Sequence, residues 1–129
     1  MTPSRRPDSF YALGVRPALA AALEARGITE PFPIQAASLP DSLSGRDVLG
    51  RGRTGSGKTV AFALPLLERI LTSGTRREPK RPRALVLVPT RELAVQVADT
   101  VDHLAASVKL KAMTVFGGVR YTGQMRKLE

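Results

Sequence analysis

The sequence predicts an α/β fold with a parallel sheet, because short apolar segments alternate along the chain with segments of helical periodicity. Three segments have the length and composition of strands, at 47–50, 84–88 and 110–116. The second, ALVLV, is apolar throughout and lies between prolines, which indicates a strand buried on both faces. A glycine-rich segment follows the first strand directly and leads into a helical pattern, so strand, loop and helix form one unit.

The helical segments are bounded by recognisable start and stop residues. Pro17 stands at a first helical position and Gly27 follows the end of the same segment. Thr90 is placed to cap a later helix, and Pro65 is expected to bend the helix that contains it. The predicted helices are 17–26, 33–43, 58–72, 91–105 and 121–129.

Composition excludes several classes of protein. The 129 residues carry 20 Lys and Arg against 11 Asp and Glu, a formal charge of +9, which favours an acidic partner such as nucleic acid or a nucleotide. There is no cysteine, and the one histidine, His103, cannot build a zinc site. No apolar stretch has membrane-span length and no signal peptide is recognisable, so we expect a cytoplasmic protein without a membrane partner.

Residues 52–59 read GRTGSGKT and fit the phosphate-loop pattern G-x-x-x-x-G-K-[S/T] between a predicted strand and helix. Glycines let backbone N–H groups converge on phosphate oxygens, Lys58 reaches the β and γ phosphates, and the Thr59 hydroxyl completes a Mg²⁺ shell. The alternative, a basic surface turn, leaves the match at four fixed positions unexplained. The predicted nucleotide-binding residues of this loop are Gly52, Arg53, Thr54, Gly55, Ser56, Gly57, Lys58 and Thr59.

An adenine-reading element is predicted upstream of the loop. Residues 27–35 read GITEPFPIQ, and Phe10 lies 17 residues before Gly27. The Gln35 amide has both donors and acceptors, so it can pair with N6 and N7 of adenine, while an upstream aromatic ring can stack on the base. On composition alone, a core phenylalanine and a helix-surface glutamine explain these two residues better.

Four motifs in sequence order resemble the DEAD-box RNA helicase family. They are the segment 27–35 with Phe10 upstream (the Q motif), the phosphate loop at 52–59 (the P-loop), PTRELA at 89–94, and the pair Gly117 and Gly118. The resemblance implies a RecA-like P-loop NTPase domain that is incomplete here, with its first three strands and their helices. It implies a flexible N-terminus at 1–9 and a partial helicase ATP-binding domain at 10–129.

The resemblance also implies ligands and roles. Gln35 would recognise the adenine of ATP with Phe10 stacking near the base, and Thr59 would serve Mg²⁺. RNA would be held by its sugar-phosphate backbone, without strong base preference. The residues implied for this RNA track are Thr90, Arg91, Gly117 and Gly118. Three positions depart from the family pattern without removing these groups: Ile28 replaces an aromatic residue, Glu30 stands where a basic residue is frequent, and Gly52 replaces alanine.

Catalytic parts of the family are missing from these residues. No Asp-Glu pair follows an apolar strand, and the second RecA-like lobe is not present. Phosphoryl transfer needs a carboxylate to hold the metal, so we expect that this chain alone neither hydrolyses ATP nor unwinds RNA. With its strand edges unpaired, it should be poorly stable or oligomeric.

Two alternatives stay open at this point. The first is a truncated, non-catalytic module that holds ATP or RNA. The second is an unrelated small P-loop NTPase or kinase, which predicts indifference to substitution of Gln35. Two lesser features have simpler interpretations: the basic run at 76–83 is a solvated loop rather than an RNA contact, and His103 is a surface or boundary residue.

Overall fold

The described structure, a computed structural model, comprises residues 9–53, 55 and 57–115. Its helices are α1 (Pro17–Ala25), α2 (Pro33–Leu43), α3 (Lys58–Thr72) and α4 (Arg91–Ser107). All four were predicted from the sequence, and their ends agree with the prediction within two residues. Thr90 caps α4 as expected, since its side chain accepts a hydrogen bond of 3.1 Å from the Leu93 N–H. The helix predicted at 121–129 lies outside the described residues.

The core is formed between helices. Helix α3 packs against both α2 and α4, and α1 packs against α4. Apolar side chains at helical spacing meet there, and burying each large one contributes about 1.5–3 kcal/mol. The largest fully buried apolar side chains are Leu19, Leu23, Leu39, Leu64 and Leu104.

Side-chain hydrogen bonds connect the helices at the edge of this core. Arg16, which precedes α1, donates two hydrogen bonds of 2.9 and 3.0 Å to the Glu68 carboxylate on α3. The hydrogen bond to Glu68 raises the pKa of the Arg16 guanidinium above its ordinary value. His103 on α4 is half-buried and its Nε2 lies 2.9 Å from the carbonyl oxygen of Ala22 on α1, so the prediction of a boundary residue is confirmed.

The predicted strands differ from the structure. Within the described residues, segments 47–50 and 84–88 form no strand ladder, and the pairing present is an isolated bridge between Glu78 and Arg81. The expectation that 84–88 is buried on both faces is wrong here, because Leu85 is 76% exposed and Leu87 is 83% exposed. A strand needs a neighbouring strand to pair its backbone N–H and C=O groups. Among the described residues, no strand lies beside segments 47–50 and 84–88 to provide this pairing. The segment 110–116 extends past the described residues.

The end of α4 has an unusual residue at its turning point. Leu110 N–H donates to the Ala105 carbonyl (2.8 Å) and Lys109 N–H to the Ala106 carbonyl (3.2 Å), the two bonds of a Schellman motif. Lys109 occupies the left-handed position, with φ of 61°. Glycine is the usual residue there, and a side chain in this conformation costs on the order of 1 kcal/mol.

Candidate functional site

The P-loop leads directly into the first turn of α3. Gly57 is the N-cap residue, with φ of 85° and ψ of 22°, and Lys58 begins the helix. Because glycine has no side chain, Gly57 provides no side-chain cap for the N–H groups of the first turn, an arrangement that suits an anion. In this first turn, Lys58 is exposed and Thr59 is half-buried. In the loop before the helix, Arg53 is exposed and Gly52 is half-buried. Gly55 is exposed; Thr54 and Ser56 lie outside the described residues.

The Gln35 amide joins the Q motif to the P-loop. Its Oε1 accepts a hydrogen bond of 2.9 Å from the Phe32 N–H at the start of α2, and its Nε2 donates one of 3.0 Å to the Gly57 carbonyl. The side chain is 1% exposed, so Gln35 is not the helix-surface residue that composition alone favours. One amide therefore caps α2 and anchors the loop that precedes α3.

Gly57 is the point of closest approach between the two motifs. A Cβ built on it would overlap the Gln35 amide nitrogen and lie 2.7 Å from Cδ2 of Phe32. Its backbone is also left-handed, a conformation that glycine adopts without strain. The steric contact and the backbone conformation each restrict this position to glycine. The phosphate-binding role inferred from the sequence is a further reason for glycine here.

The two aromatic residues near the Q motif have opposite environments. Phe10 is 2% exposed and belongs to the hydrophobic core, so its ring presents no open face in this structure and base stacking stays a prediction. Phe32 is 50% exposed and lies beside Gly57. Sequence reasoning missed Phe32 as a site residue, and the signal that could have found it is its position three residues before Gln35, at the N-cap of α2.

The predicted RNA contacts are only partly described. Thr90 and Arg91 are exposed at the start of α4, the helix that packs against α3. The Thr90 hydroxyl accepts from the Leu93 N–H and still has its own O–H to donate. Gly117 and Gly118 lie outside the described residues. Gln35 and Gly57 are therefore in direct contact, whereas Thr90 and Arg91 lie at the start of α4, a different helix from those that carry the Q motif and follow the P-loop.

Comparison with known proteins shows the family of this chain. The family model for DEAD/DEAH box helicases matches residues 32–129, well over half of the chain. The chain belongs to the DEAD/DEAH box helicase family. The ATP-dependent RNA helicase RhlB of Vibrio vulnificus is 41% identical over 124 residues, which is 95% of this chain and 28% of that protein. The RhlB of Xanthomonas oryzae pv. oryzae is 42% identical over 123 residues, 94% of this chain and 21% of that protein.

Solved helicase structures share the fold. The RNA helicase Prp28 from Chaetomium thermophilum, bound to ADP, superposes with a TM-score of 0.76 and 33% identity over 96% of this chain and 30% of that chain. A Saccharomyces cerevisiae Dbp5 variant bound to Gle1 and IP6 gives a TM-score of 0.65 and 34% identity over 77% of this chain and 25% of that chain. The predicted fold class, an incomplete RecA-like α/β domain, is therefore confirmed. The chain spans about a quarter of the length of the relatives it matches.

The described part of the chain has neither a membrane-spanning helix nor a metal-binding cluster. No helix there combines the length and hydropathy needed to cross a bilayer. Over the same residues, no cluster of three or more His, Cys, Asp or Glu side chains is arranged to hold a metal ion.

Proposed function

We propose that this chain is the nucleotide-binding beginning of an ATP-dependent RNA helicase, with adenine read by Gln35 and phosphates held by the P-loop and Lys58. The observation that supports it most is the pair of hydrogen bonds from Gln35, one to the Phe32 N–H and one to the Gly57 carbonyl. Because of the bond to Gly57, the Gln35 amide proposed to read the base is held against the P-loop proposed to bind the phosphates.

The hydrogen-bonding capacity of Gln35 fits adenine. A primary amide has two N–H donors and two acceptor lone pairs, and the protein uses one of each. One donor and one lone pair remain, which match the N7 acceptor and the N6 donor of adenine. Because the side chain is 1% exposed, adenine reaches these groups only after the residues around Gln35 move. Guanine presents an acceptor, O6, in place of the N6 donor, so the remaining lone pair would find no partner.

The first turn of α3 fits a triphosphate. Lys58 is exposed and makes no ion pair with a carboxylate among the described residues, and the first-turn N–H groups carry the positive end of the helix dipole. Thr59 is the residue that would contribute a hydroxyl to Mg²⁺, which when bound would neutralise charge on the β and γ phosphates. Phe10 is proposed to support the base site from the core rather than through an exposed face.

A titration with fluorescent ATP and GTP analogues tests the nucleotide site. We expect ATP to bind more tightly than GTP, Gln35→Ala to remove that preference, and Lys58→Ala to weaken both nucleotides about tenfold or more. The ratio of ATP to GTP affinity is the readout, because a loop disturbed by loss of the Gly57 contact would weaken both nucleotides equally. Unchanged ATP affinity and preference in Gln35→Ala would refute the proposal and favour an unrelated P-loop protein.

RNA binding is proposed through Thr90 and Arg91, joined by Gly117 and Gly118. The support is the exposed N-terminal turn of α4, which carries a hydroxyl at Thr90 and a guanidinium at Arg91, at the positive end of the helix dipole. Contacts to phosphate predict weakening with salt at a log-log slope of about −0.7 per phosphate neutralised. Binding of a labelled single-stranded RNA that does not change with salt would remove this part of the proposal.

Catalysis is proposed to need residues beyond those in this chain. The 129 residues contain no Asp-Glu pair after an apolar segment, so no carboxylate is assigned to the metal. We expect no RNA-stimulated ATP turnover by the chain alone. Turnover that disappears in Lys58→Ala would show that the chain is an enzyme by itself.

A further inference from the structure

A cleft lies at the C-terminal end of α4, lined by residues other than those of the P-loop and Q motif. It has a volume of about 660 Å³ and lies between the loop at 77–83 and the segment at 109–114. These two segments are far apart in sequence and both are rich in lysine or arginine. The basic residues that line this basic cleft are Arg77, Lys80, Arg81, Arg83, Lys109 and Lys111.

The charge of the basic cleft is only partly compensated. Its acidic lining residues are Glu78 and Asp102. Glu78 pairs with Arg81 at 3.1 Å, and among the described residues no ion pair joins a carboxylate to Lys80 or Lys109. Among the described lining residues, six cations against two carboxylates give a positive concave surface, which attracts a polyanion.

Two of the lysines hold backbone conformations that favour glycine. Lys80 has φ of 63° and Lys109 has φ of 61°, and in the described part of the chain these are the non-glycine residues with positive φ. Both line the basic cleft. At these two positions glycine would relieve backbone strain while removing a positive charge, so the charge of the cleft can be reduced without loss of fold stability.

The basic cleft is separate from Thr90 and Arg91, the proposed RNA contacts that lie within the described residues. Thr90 caps the N-terminus of α4 and Lys109 follows its C-terminus. A helix of 17 residues is about 25 Å long. A strand of RNA held at Thr90 and Arg91 would therefore have to extend along the whole of α4 to reach the cleft.

We propose that the basic cleft is a second binding surface for the sugar-phosphate backbone of RNA. This inference rests on the proposed function, which supplies RNA as the polyanion. Arginine and lysine recognise phosphate oxygens, and none of the described residues that line the cleft is aromatic, so they offer no ring on which a base could stack. The cleft therefore binds RNA without sequence preference and raises affinity by engaging nucleotides beyond those held at Thr90 and Arg91.

The test is fluorescence anisotropy of a labelled single-stranded RNA of about 20 nucleotides, long enough to span α4, with the full chain. We expect Lys80→Gly combined with Lys109→Gly to weaken binding about tenfold at low salt and to reduce the log-log salt slope by about 1.4, the value for two phosphate contacts. Helicity measured by circular dichroism should be unchanged. Binding of the fluorescent ATP analogue should also be unchanged, so the outcome is independent of whether the nucleotide site performs as proposed.

The matched control is Arg46→Gln combined with Arg51→Gln, which removes the same charge at exposed residues that do not line the cleft. RNA affinity that is unchanged in the glycine variant, or that falls equally in the control, overturns the proposal. An equal loss of binding to poly-glutamate would identify an acidic protein segment as the ligand and also overturns it. Arg77→Gln combined with Arg81→Gln, which leaves the backbone strain alone, repeats the test should the glycine variant lose helicity.

Discussion

The helices of this chain and its predicted strands have opposite environments. In the helical part, Leu39 and Leu64 are completely buried, whereas Leu49 in the first predicted strand is fully exposed and Leu87 in the second is 83% exposed. Both groups are equally apolar in sequence. The difference arises because a helix satisfies its own backbone and needs only one apolar partner face, while a strand needs a neighbouring strand before its side chains can be covered.

The largest effect is expected from truncating the buried side of this comparison. Leu64→Ala should lower the free energy of unfolding by about 2–5 kcal/mol through lost burial and a cavity, whereas Leu85→Ala, at a 76% exposed position, should change it by less than about 0.5 kcal/mol. Urea unfolding followed by helical circular dichroism measures both. Similar losses in the two variants would show that the segment 84–88 is paired in solution.

The next largest effect is expected where the two motifs meet. Gly57→Ala places a methyl group against Gln35 and Phe32 in a left-handed backbone, and should cost about 1–3 kcal/mol of stability together with most of the ATP affinity. Gly55→Ala is the matched control for stability, because Gly55 is also left-handed but a Cβ there meets no atom within 4 Å. Equal destabilisation of the two variants would mean that backbone strain alone, and not the contact with Gln35, restricts Gly57.

A smaller effect is expected at the edge of the helical core. Arg16→Lys keeps the charge but cannot form both hydrogen bonds to Glu68, so Tm should fall by no more than about 4 °C. Arg46→Lys, at a single exposed contact of 3.4 Å with Asp41, should leave Tm unchanged.

The ion pair of Arg16 with Glu68 predicts that the stabilisation from Arg16 does not change with pH near neutrality. Glu68 raises the pKa of Arg16, so the stabilisation is complete below the ordinary guanidinium pKa and is lost only as pH rises through the raised value. The difference in Tm between Arg16→Lys and wild type should therefore be constant between about pH 6 and pH 9. A difference that disappears on raising the pH within this range would assign it to another group.

The smallest effect is expected at the start of α2. Phe32 is the N-cap and has no oxygen to offer, while Gln35 already bonds back to the Phe32 N–H. Phe32→Ser would complete a reciprocal capping box and should raise stability by about 0.5 kcal/mol. Thermal unfolding measures this gain. Phe32→Ala is the control, because it removes the same ring without adding a capping hydroxyl. Equal Tm values for Phe32→Ser and Phe32→Ala would contradict the prediction.

The helices and the nucleotide motifs could be predicted because their signals are local. Periodicity, Pro17, Thr90 and the spacing of residues 52–59 all act within one or two turns of chain. The contact between Gln35 and Gly57 could not be predicted, since it joins residues 22 positions apart through an amide with several possible partners. The basic cleft was missed for the same reason: the run at 76–83 resembles a solvated loop until Lys109 and Lys111 are placed opposite it.

The family, the four described helices and the identity of the phosphate-binding loop therefore follow from the order of residues alone, because short-range sterics and hydrogen bonding between neighbouring residues select them. The packing of the helices determines which phenylalanine is buried, which amide anchors the P-loop and whether an apolar segment is covered. These outcomes depend on contacts between distant elements, and a strand in particular is completed only by another strand.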